Sequence, residues 1–514
     1  MENSNRPSLR KRIFRIVGTF FLCLLILLGF VGYFSAKWYV DVYGRIGFDS
    51  ILFTLLSDLG GVQSDLITSY LQHAALPAAL WSAAVALLLF LPWRKIFRLV
   101  FKKELHLPKL PRFLTRLVCL VLSLGLLTHA AFNVQLVDYI ISYLRVSSLY
   151  EDEYRDPNTV SISFPEQKRN LIYIMLESME TSYLSKDMGG ALEYNLIPEL
   201  TELAQNNINF SHNTSVGGFV EVPGASWTIG SMVAQTSGVP LKTPDNISDW
   251  QNGYGKDGIF LPGLTSLNNI LDENGYNQAL LVGSDANFGG RKTYYSTHGV
   301  DNIYDIYTAW RDGIVPPNYY VWWGMEDLYL FDYAKEVITE MSAGEEPFAF
   351  TMLTVDTHHI GGYKCQYCGN AYEENYENVI SCSSRQVAAF VQWIQQQSFY
   401  ENTTVIVTGD HCSMDKGYFN RNVEEGYSRH IYNCFINSAA TPSWTINRQF
   451  CSLDMFPTTL AAMGCTIDGN RLGLGTNLFS KVPTLMERRG YGPFTSELSN
   501  RSEYYSDHFY TAQE

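Results

Sequence analysis

Positive charge is what this chain has least of. Its 37 Lys and Arg are outnumbered by 51 Asp and Glu, for a formal charge of −14. Such an acidic balance argues against nucleic-acid binding, which needs a basic face. It also suits an anionic substrate poorly, unless a metal and a few placed basic side chains supply local positive charge. Internal repeats and low-complexity tracts are absent, so repeat architectures are set aside. Cysteine is thin in the first two-thirds: of nine, only Cys23 and Cys119 precede Cys365. Runs long enough to span a membrane are missing after Phe132 and concentrated before it.

Those runs define the first third. Ile16–Ala36, Ala74–Trp93 and Phe113–Phe132 are each ~20 residues, enough to cross ~30 Å of hydrocarbon as helices. Arg6, Arg10, Lys11, Arg12 and Arg15 precede the first run. Arg94, Lys95, Arg98, Lys102, Lys103, Lys109 and Arg112 lie between the second and third, and Arg116 falls at the start of the third. By the positive-inside rule both groups are cytoplasmic, which puts the amino terminus inside and everything after Phe132 outside. The first run exceeds the apolar stretch of a signal peptide and two more follow, which speaks against cleavage. Phe48–Leu56, Leu66–Leu71 and Val137–Leu149 alternate apolar and polar residues. They fit either interfacial helices on the outer leaflet or packing of the spans' own ends.

At 514 residues more than one structural unit is expected. The expected organisation is a transmembrane region at 1–149 with spans at 16–36, 74–93 and 113–132, a polar linker at 150–168, and a domain at 169–514 large enough to bury a substantial core. The linker carries Glu151, Asp152, Glu153, Arg155, Asp156 and Pro157. Beyond it, strands alternate with helical patterns such as Asp327–Met341 and Val387–Gln396. The fold class is therefore α/β, a mostly parallel sheet covered by helices. Seven cysteines (Cys365, Cys368, Cys382, Cys412, Cys434, Cys451 and Cys465) fall where disulfides are permitted. Cys365-Gln-Tyr-Cys368 with Cys382 is expected as a disulfide-stabilised loop, with a zinc knuckle or a redox pair as alternatives.

Four apolar runs end on residues that could hold a metal or a phosphate. Thr403–Thr408 is closed by Gly409-Asp410-His411, Asn170–Met175 by Leu176-Glu177, Ala279–Val282 by Ser284-Asp285, and Phe348–Leu353 by Asp356 and His358-His359. Ligands of open α/β sheets bind outside the carboxyl ends of the strands. Four converging ends would gather the carboxylates and imidazoles that a divalent metal requires.

Each residue has a plainer reading beside this one. Asp410 could cap the next helix with His411 packed against it. Glu177 could also be a cap, although a carboxylate just past a buried strand is costly unless paired or bound to a metal. Thr228, in Pro223-Gly-Ala-Ser-Trp-Thr, lies in a short helix expected over Trp227–Gln235. Its hydroxyl is either an N-cap or a nucleophile in an anion cradle, activated by metal coordination. Arg291, after Asn287-Phe-Gly-Gly, could reach a phosphate or be an ordinary surface residue. His358 or His359 could donate to a phosphate or protonate a leaving alkoxide. Trp227, Trp250, Trp310, Trp322 and Trp323 are either core residues or a sugar-stacking surface.

Five segments carry a resemblance: Ile174-Met-Leu-Glu-Ser-Met, Val222-Pro-Gly-Ala-Ser-Trp-Thr-Ile-Gly-Ser-Met-Val, Thr354-Val-Asp-Thr-His-His, Val407-Thr-Gly-Asp-His and Leu453-Asp-Met-Phe-Pro-Thr-Thr. Together they resemble the phosphoglycerol transferase I / lipoteichoic acid synthase family, sulfatase-like enzymes of the alkaline phosphatase superfamily. The resemblance implies Glu177, Thr228, Asp410 and His411 as ligands of one divalent ion, Mn²⁺ ahead of Mg²⁺ or Zn²⁺. It makes Thr228 the nucleophile as well, and places Arg291 and His358 on the substrate phosphate. It further implies phosphatidylglycerol as donor, a glycan or polyglycerol phosphate (teichoic-acid-type) acceptor and a phospho-threonine intermediate. The protein would be multi-pass in the cell membrane with an extracytoplasmic catalytic domain. The chain lacks the Cys-x-Pro-x-Arg segment of true sulfatases, so sulfate-ester hydrolysis is not expected. Three spans, against the five usual in lipoteichoic acid synthases, favour the glucan-modifying branch. The alternatives are a phosphoethanolamine transferase or related phosphodiester hydrolase and, from another class, a non-catalytic envelope glycan-binding protein.

Overall fold

The computed structural model describes residues 9–44, 47–56, 64–91, 93–102, 111–242, 244 and 258–511. Arg6, Lys103, Lys109 and Trp250 lie outside the described residues. The chain divides into two units, Met1–Arg45 with Gln63–Asp138, and Ile46–Val62 with Tyr139–Glu514.

The first unit holds three helices long and apolar enough to cross a membrane, over Ile16–Tyr43, Leu66–Phe90 and Phe113–Asn133. The second differs from the expected 74–93. Leu66–Tyr70 is the beginning of that helix and not a separate surface element, and a π-helical turn, Leu71–Ala75, carries it into Leu76–Phe90. It ends there because Leu91 precedes Pro92 and is extended, at ψ 141°, as the residue before a proline prefers. Trp93 opens another helix, Trp93–Phe101. Ile26, Phe30, Ala78 and Cys119 form a small core. A Cβ at Gly29 would sit 3.0 Å from Ser123 Cα, so the bare glycine lets the first and third helices close, the usual packing device in lipid.

In the second unit β1 (Ile162–Ser163) pairs with β9 (Thr466–Ile467). A separate seven-stranded sheet contains β2 (Asn170–Leu176), β3 (Gly218–Phe219), β4 (Asn277–Val282), β5 (Asn302–Tyr304), β6 (Phe348–Leu353), β7 (Thr403–Gly409) and β8 (Ile431–Ile436). Their spatial order is β3-β8-β7-β2-β6-β4-β5. The five strands from β7 to β5 are parallel, and β8 runs antiparallel to β7.

The continuous apolar character of the central strands follows from burial on both faces. Leu171, Tyr173 and Met175 of β2 enter one core with the helices Thr228–Ser237 and Met455–Ala462. Ile172, Ile174 and Leu176 enter the other with Asp327–Ser342 and Asn375–Gln395. Each such aliphatic side chain contributes ~2 kcal/mol. The helix expected over Val387–Gln396 is the end of a longer one. Its first half is written in buried polar residues, among them Asn378, Ser381, Ser383 and Ser384, which hide the apolar period.

Two segments outside the sheet belong to this unit. Within the expected linker, Leu149–Glu153 is helical, Leu149 and Tyr150 are buried, and Glu153 is gripped by Arg471, Arg488 and Arg489. The amphipathic stretch Phe48–Leu56 is a helix whose Phe53 is buried, its ring 6.0 Å from that of Trp227. All nine cysteines are free thiols, Cys365, Cys368 and Cys382 included, in place of the expected disulfide.

Candidate active site

The sheet order puts the chemistry where it is. β2 lies between β7 and β6, with Leu176 opposite Gly409 and Met175 opposite Leu353. The three chains therefore leave the sheet at one level, and Glu177, Asp410 and Thr354 emerge side by side. Gly409 is required by this closeness: a Cβ there would lie 2.0 Å from the Met179 carbonyl oxygen.

Glu177, Asp410 and His411 are all buried, and one donor atom from each falls within 4.8 Å of the others. His411 Nδ1 lies 2.9 Å from the Cys412 carbonyl. Donating its proton there turns the Nε2 lone pair toward the carboxylates, 3.3 Å from Asp410 Oδ2 and 3.6 Å from Glu177 Oε1. Asp410 Oδ2 accepts no hydrogen bond although buried, while Oδ1 accepts from the Ser178 and His411 amides at 2.8 and 2.7 Å. Burial, reinforced by Glu177, raises the Asp410 carboxyl above its ordinary range. Burial works to lower His411, but Asp410 and Glu177 outweigh it and the imidazole is raised. Burial works to raise Glu177, and His358 and His411 outweigh it, so its carboxyl is lowered. Converging lone pairs with an orphaned carboxylate oxygen fit one divalent cation, and a mixed carboxylate–imidazole set suits an ion of borderline hardness.

Thr228 is not a helix cap. It is the first residue of Thr228–Ser237, the N-cap is Trp227, and no side chain caps that end. Its half-buried hydroxyl instead faces the cluster, with Oγ1 3.4 Å from both Glu177 Oε2 and His411 Nε2. The helix is pinned to the end of β7 by Ser231, whose hydroxyl donates to the Asp410 carbonyl, and by Gln235, whose Nε2 donates to Gly409 O at 3.0 Å.

Arg291 is buried, not a loose surface residue. Nε donates to Phe288 O at 3.0 Å, and Nη2 donates to Ser284 Oγ and Asp285 O at 2.9 and 2.8 Å. Burial lowers it to about 10 against the pull of Glu177, so it stays charged at neutral pH. His358 is half-buried beside the Trp323 ring, at 4.7 Å, and its Nδ1 lies 2.7 Å from the His359 carbonyl. Burial lowers its pKa, while Glu177 pulls it up. Burial, with repulsion from His358 and His411, also lowers His359.

Two expected strand-end carboxylates stay out of the cluster. Asp285 Oδ1 is spent on the Asn287 amide and side chain. Asp356 Oδ1 accepts the Asp327 amide, and the Asp327 carboxylate accepts those of Val355 and Asp356. Three supporting residues lie within the segments that carry the resemblance but were given no role there. Ser178 sits at φ 55°, which lets its hydroxyl reach Glu177 Oε1 at 2.8 Å while its amide holds Asp410. Thr354 Oγ1 accepts the Glu177 amide, and Thr357 donates to the Glu177 carbonyl.

The sequence is similar to those of known proteins. Phosphoglycerol transferase I of Xanthomonas campestris pv. campestris strain B100 is 31% identical over 324 residues, 62% of this chain and 43% of that protein. Its counterpart in strain ATCC 33913 is 30% identical over 372 residues, 68% and 50%. The chain thus spans about half the length of these relatives. Among solved structures, the lipoteichoic acid synthase LtaP from Listeria monocytogenes matches at 18% identity and TM-score 0.45, over 62% of this chain and 79% of that one. The integral membrane lipooligosaccharide phosphoethanolamine transferase A from Neisseria meningitidis matches at 13% and 0.49, over 86% and 84%. The sulfatase family model matches residues 169–465, from the start of β2 to the edge of β9, and since that match takes in more than half of the sequence, the chain belongs to the sulfatase family.

Proposed function

We propose that the protein is a membrane-anchored phosphotransferase. It moves the glycerophosphate head group of phosphatidylglycerol to an extracytoplasmic glycan or polyglycerol phosphate acceptor. The observation that carries this reading is the Thr228 hydroxyl, aimed at the Glu177–Asp410–His411 cluster and doing no capping work. The phosphoglycerol transferase I relatives support the choice of head group.

One divalent ion, Mn²⁺ ahead of Mg²⁺ or Zn²⁺, held by Glu177, Asp410, His411 and Thr228, would supply Lewis acidity that lowers the hydroxyl's pKa and draws charge from the phosphoryl oxygen. Thr228 enters as the alkoxide, its proton having gone to solvent. Its oxygen attacks phosphorus, the bond from phosphorus to the diacylglycerol oxygen breaks, and His358 gives that oxygen a proton. A phosphoglyceryl-Thr228 ester remains. The acceptor hydroxyl attacks the same phosphorus, its proton goes to His358, and the Thr228 alkoxide is regenerated. Arg291, braced by Ser284, Asp285 and Phe288, holds the phosphoryl oxygens. A bound phosphate also raises the His358 pKa, which charges the imidazole for the first half-reaction.

The anchor fits the donor. With the amino terminus cytoplasmic and three spans, the catalytic unit is outside and near the outer leaflet, where the lipid head groups lie. Mass spectrometry of the full-length protein after incubation with phosphatidylglycerol and Mn²⁺ tests the reading. A phosphoglycerol adduct on the Thr228 peptide is expected. An adduct formed only with phosphatidylethanolamine would transfer the assignment to a phosphoethanolamine transferase, and no adduct with either lipid would overturn the covalent route.

A further inference from the structure

The loop that follows His358 and His359 carries a second group of donor atoms, distinct from the Glu177–Asp410–His411 group. Cys365 Sγ lies 3.6 Å from Cys368 Sγ and 3.7 Å from Cys382 Sγ, and all three thiols are buried. The three sulfurs fall within 4.8 Å of one another, enclosed by Val379 and Tyr363. Cys365 and Cys368 are joined by a turn, with the Cys368 amide donating to the Cys365 carbonyl at 3.2 Å. Cys382 comes from the helix Asn375–Gln395.

The spacing discriminates between uses of these thiols. Sulfurs bound at ~2.3 Å to a tetrahedral ion stand ~3.8 Å apart, the edge of that tetrahedron. A disulfide would bring one pair to ~2.0 Å and leave the third thiol buried without a partner. Both separations from Cys365 match the tetrahedral edge, and the third pair lies within 4.8 Å. The charge is also provided for: three thiolates and one dication sum to one negative charge. The Arg385 guanidinium lies beside the cluster, donating to Ser381 Oγ at 2.8 Å and Tyr367 O at 3.4 Å.

We propose that Cys365, Cys368 and Cys382 form a structural thiolate site for Zn²⁺, separate from the carboxylate–imidazole centre. On binding, three S–H bonds break, three S–Zn bonds form, the protons go to solvent, and a water takes the fourth position. No electron is transferred. Soft thiolates select Zn²⁺ while the oxygen-rich centre accommodates Mn²⁺, so the two sites can hold different ions in one chain. The role is positional. The Asp356 carbonyl accepts the Tyr363 amide at 2.7 Å, so fixing Cys365 to the helix fixes the loop that carries His358.

The test uses full-length protein in detergent and does not depend on the proposed transferase activity. Metal-free protein titrated with Co²⁺ should develop a near-ultraviolet thiolate-to-cobalt charge-transfer band that survives in Asp410→Ala and disappears in Cys382→Ser. In the wild type, three thiols should resist alkylation with zinc bound and become alkylated after chelation, a measurement that needs no variant. Zinc content should fall by tenfold or more in Cys382→Ser, as expected when a ligand is lost. An intact mass two hydrogens short at these cysteines, alkylation unmoved by chelator, or a cobalt band absent from the wild type would each overturn the site.

Discussion

Replacing Thr228 separates chemistry from stability more cleanly than any other substitution here. Thr228 is the first helical residue and caps nothing, and its Oγ1 contacts are 3.4 Å long, at the weak edge of hydrogen bonding. Thr228→Ala loses part of one methyl's burial, ~0.5 kcal/mol, and regains about as much from the better helix propensity of alanine. Its stability should stay within ~1 kcal/mol of wild type. Its turnover should fall by at least ~10³-fold, ~4 kcal/mol at the transition state, because the proposed attacking atom is gone. Thr228→Ser keeps the hydroxyl and should retain measurable activity. Thr228→Asp suits the positive end of the helix dipole, so it should fold well and remain inert. Release of diacylglycerol from labelled phosphatidylglycerol, measured beside thermal unfolding, checks all three. Turnover within tenfold of wild type in the Ala or Asp protein would refute the assignment.

Asp410→Ala and His411→Ala should each fold and lose tight binding of one divalent ion; stoichiometric retention by elemental analysis would place the centre elsewhere. Glu153 should act as a pH-dependent brace. Burial works to raise its carboxyl, but Arg488, Arg489 and Arg471 hold it down to about 2. Its stabilisation, ~1–2 kcal/mol after solvent screening, is therefore complete above the ordinary glutamate pKa and lost as pH falls toward 2. Glu153→Gln should unfold earlier at pH 7 and at nearly the wild-type midpoint at pH 2, and an equal deficit at both pH values would contradict this. Reporters fused after Lys168 and after Lys102 should read external and internal respectively, and an internal signal at both would remove the lipid donor from reach.

The sheet and its reactive edge were legible because apolar runs buried on both faces leave an unmistakable pattern. Glu177, Asp410 and His411 stand directly at strand ends, which made them candidates for one cluster. Asp285 and Asp356 stand at strand ends too, yet they satisfy backbone amides. Only the register between strands and the path of the following loop decide which carboxylates meet. The capping alternative for Thr228 turned on a one-residue shift of the helix start, finer than residue preferences resolve. The second span was misplaced because Leu66–Tyr70 reads as amphipathic in isolation and becomes helix interior only through the π-helical turn. The sulfur cluster was visible as Cys-x-x-Cys, but the approach of Cys382 depends on a helix whose first half is written in polar residues.

Phe53 has a consequence for any attempt to free the catalytic unit from its anchor. Its ring, supplied from between two of the long apolar helices, packs in the core beside Trp227, the residue before the helix Thr228–Ser237. A cut anywhere behind residue 138 strands that ring with the membrane piece and leaves the soluble fragment with a hole worth ~3 kcal/mol, on the scale of a buried Phe truncated to Ala. Shedding would therefore yield a destabilised fragment. Phe48–Leu56, which precedes two of the long apolar helices in sequence, is thus part of the fold that follows them.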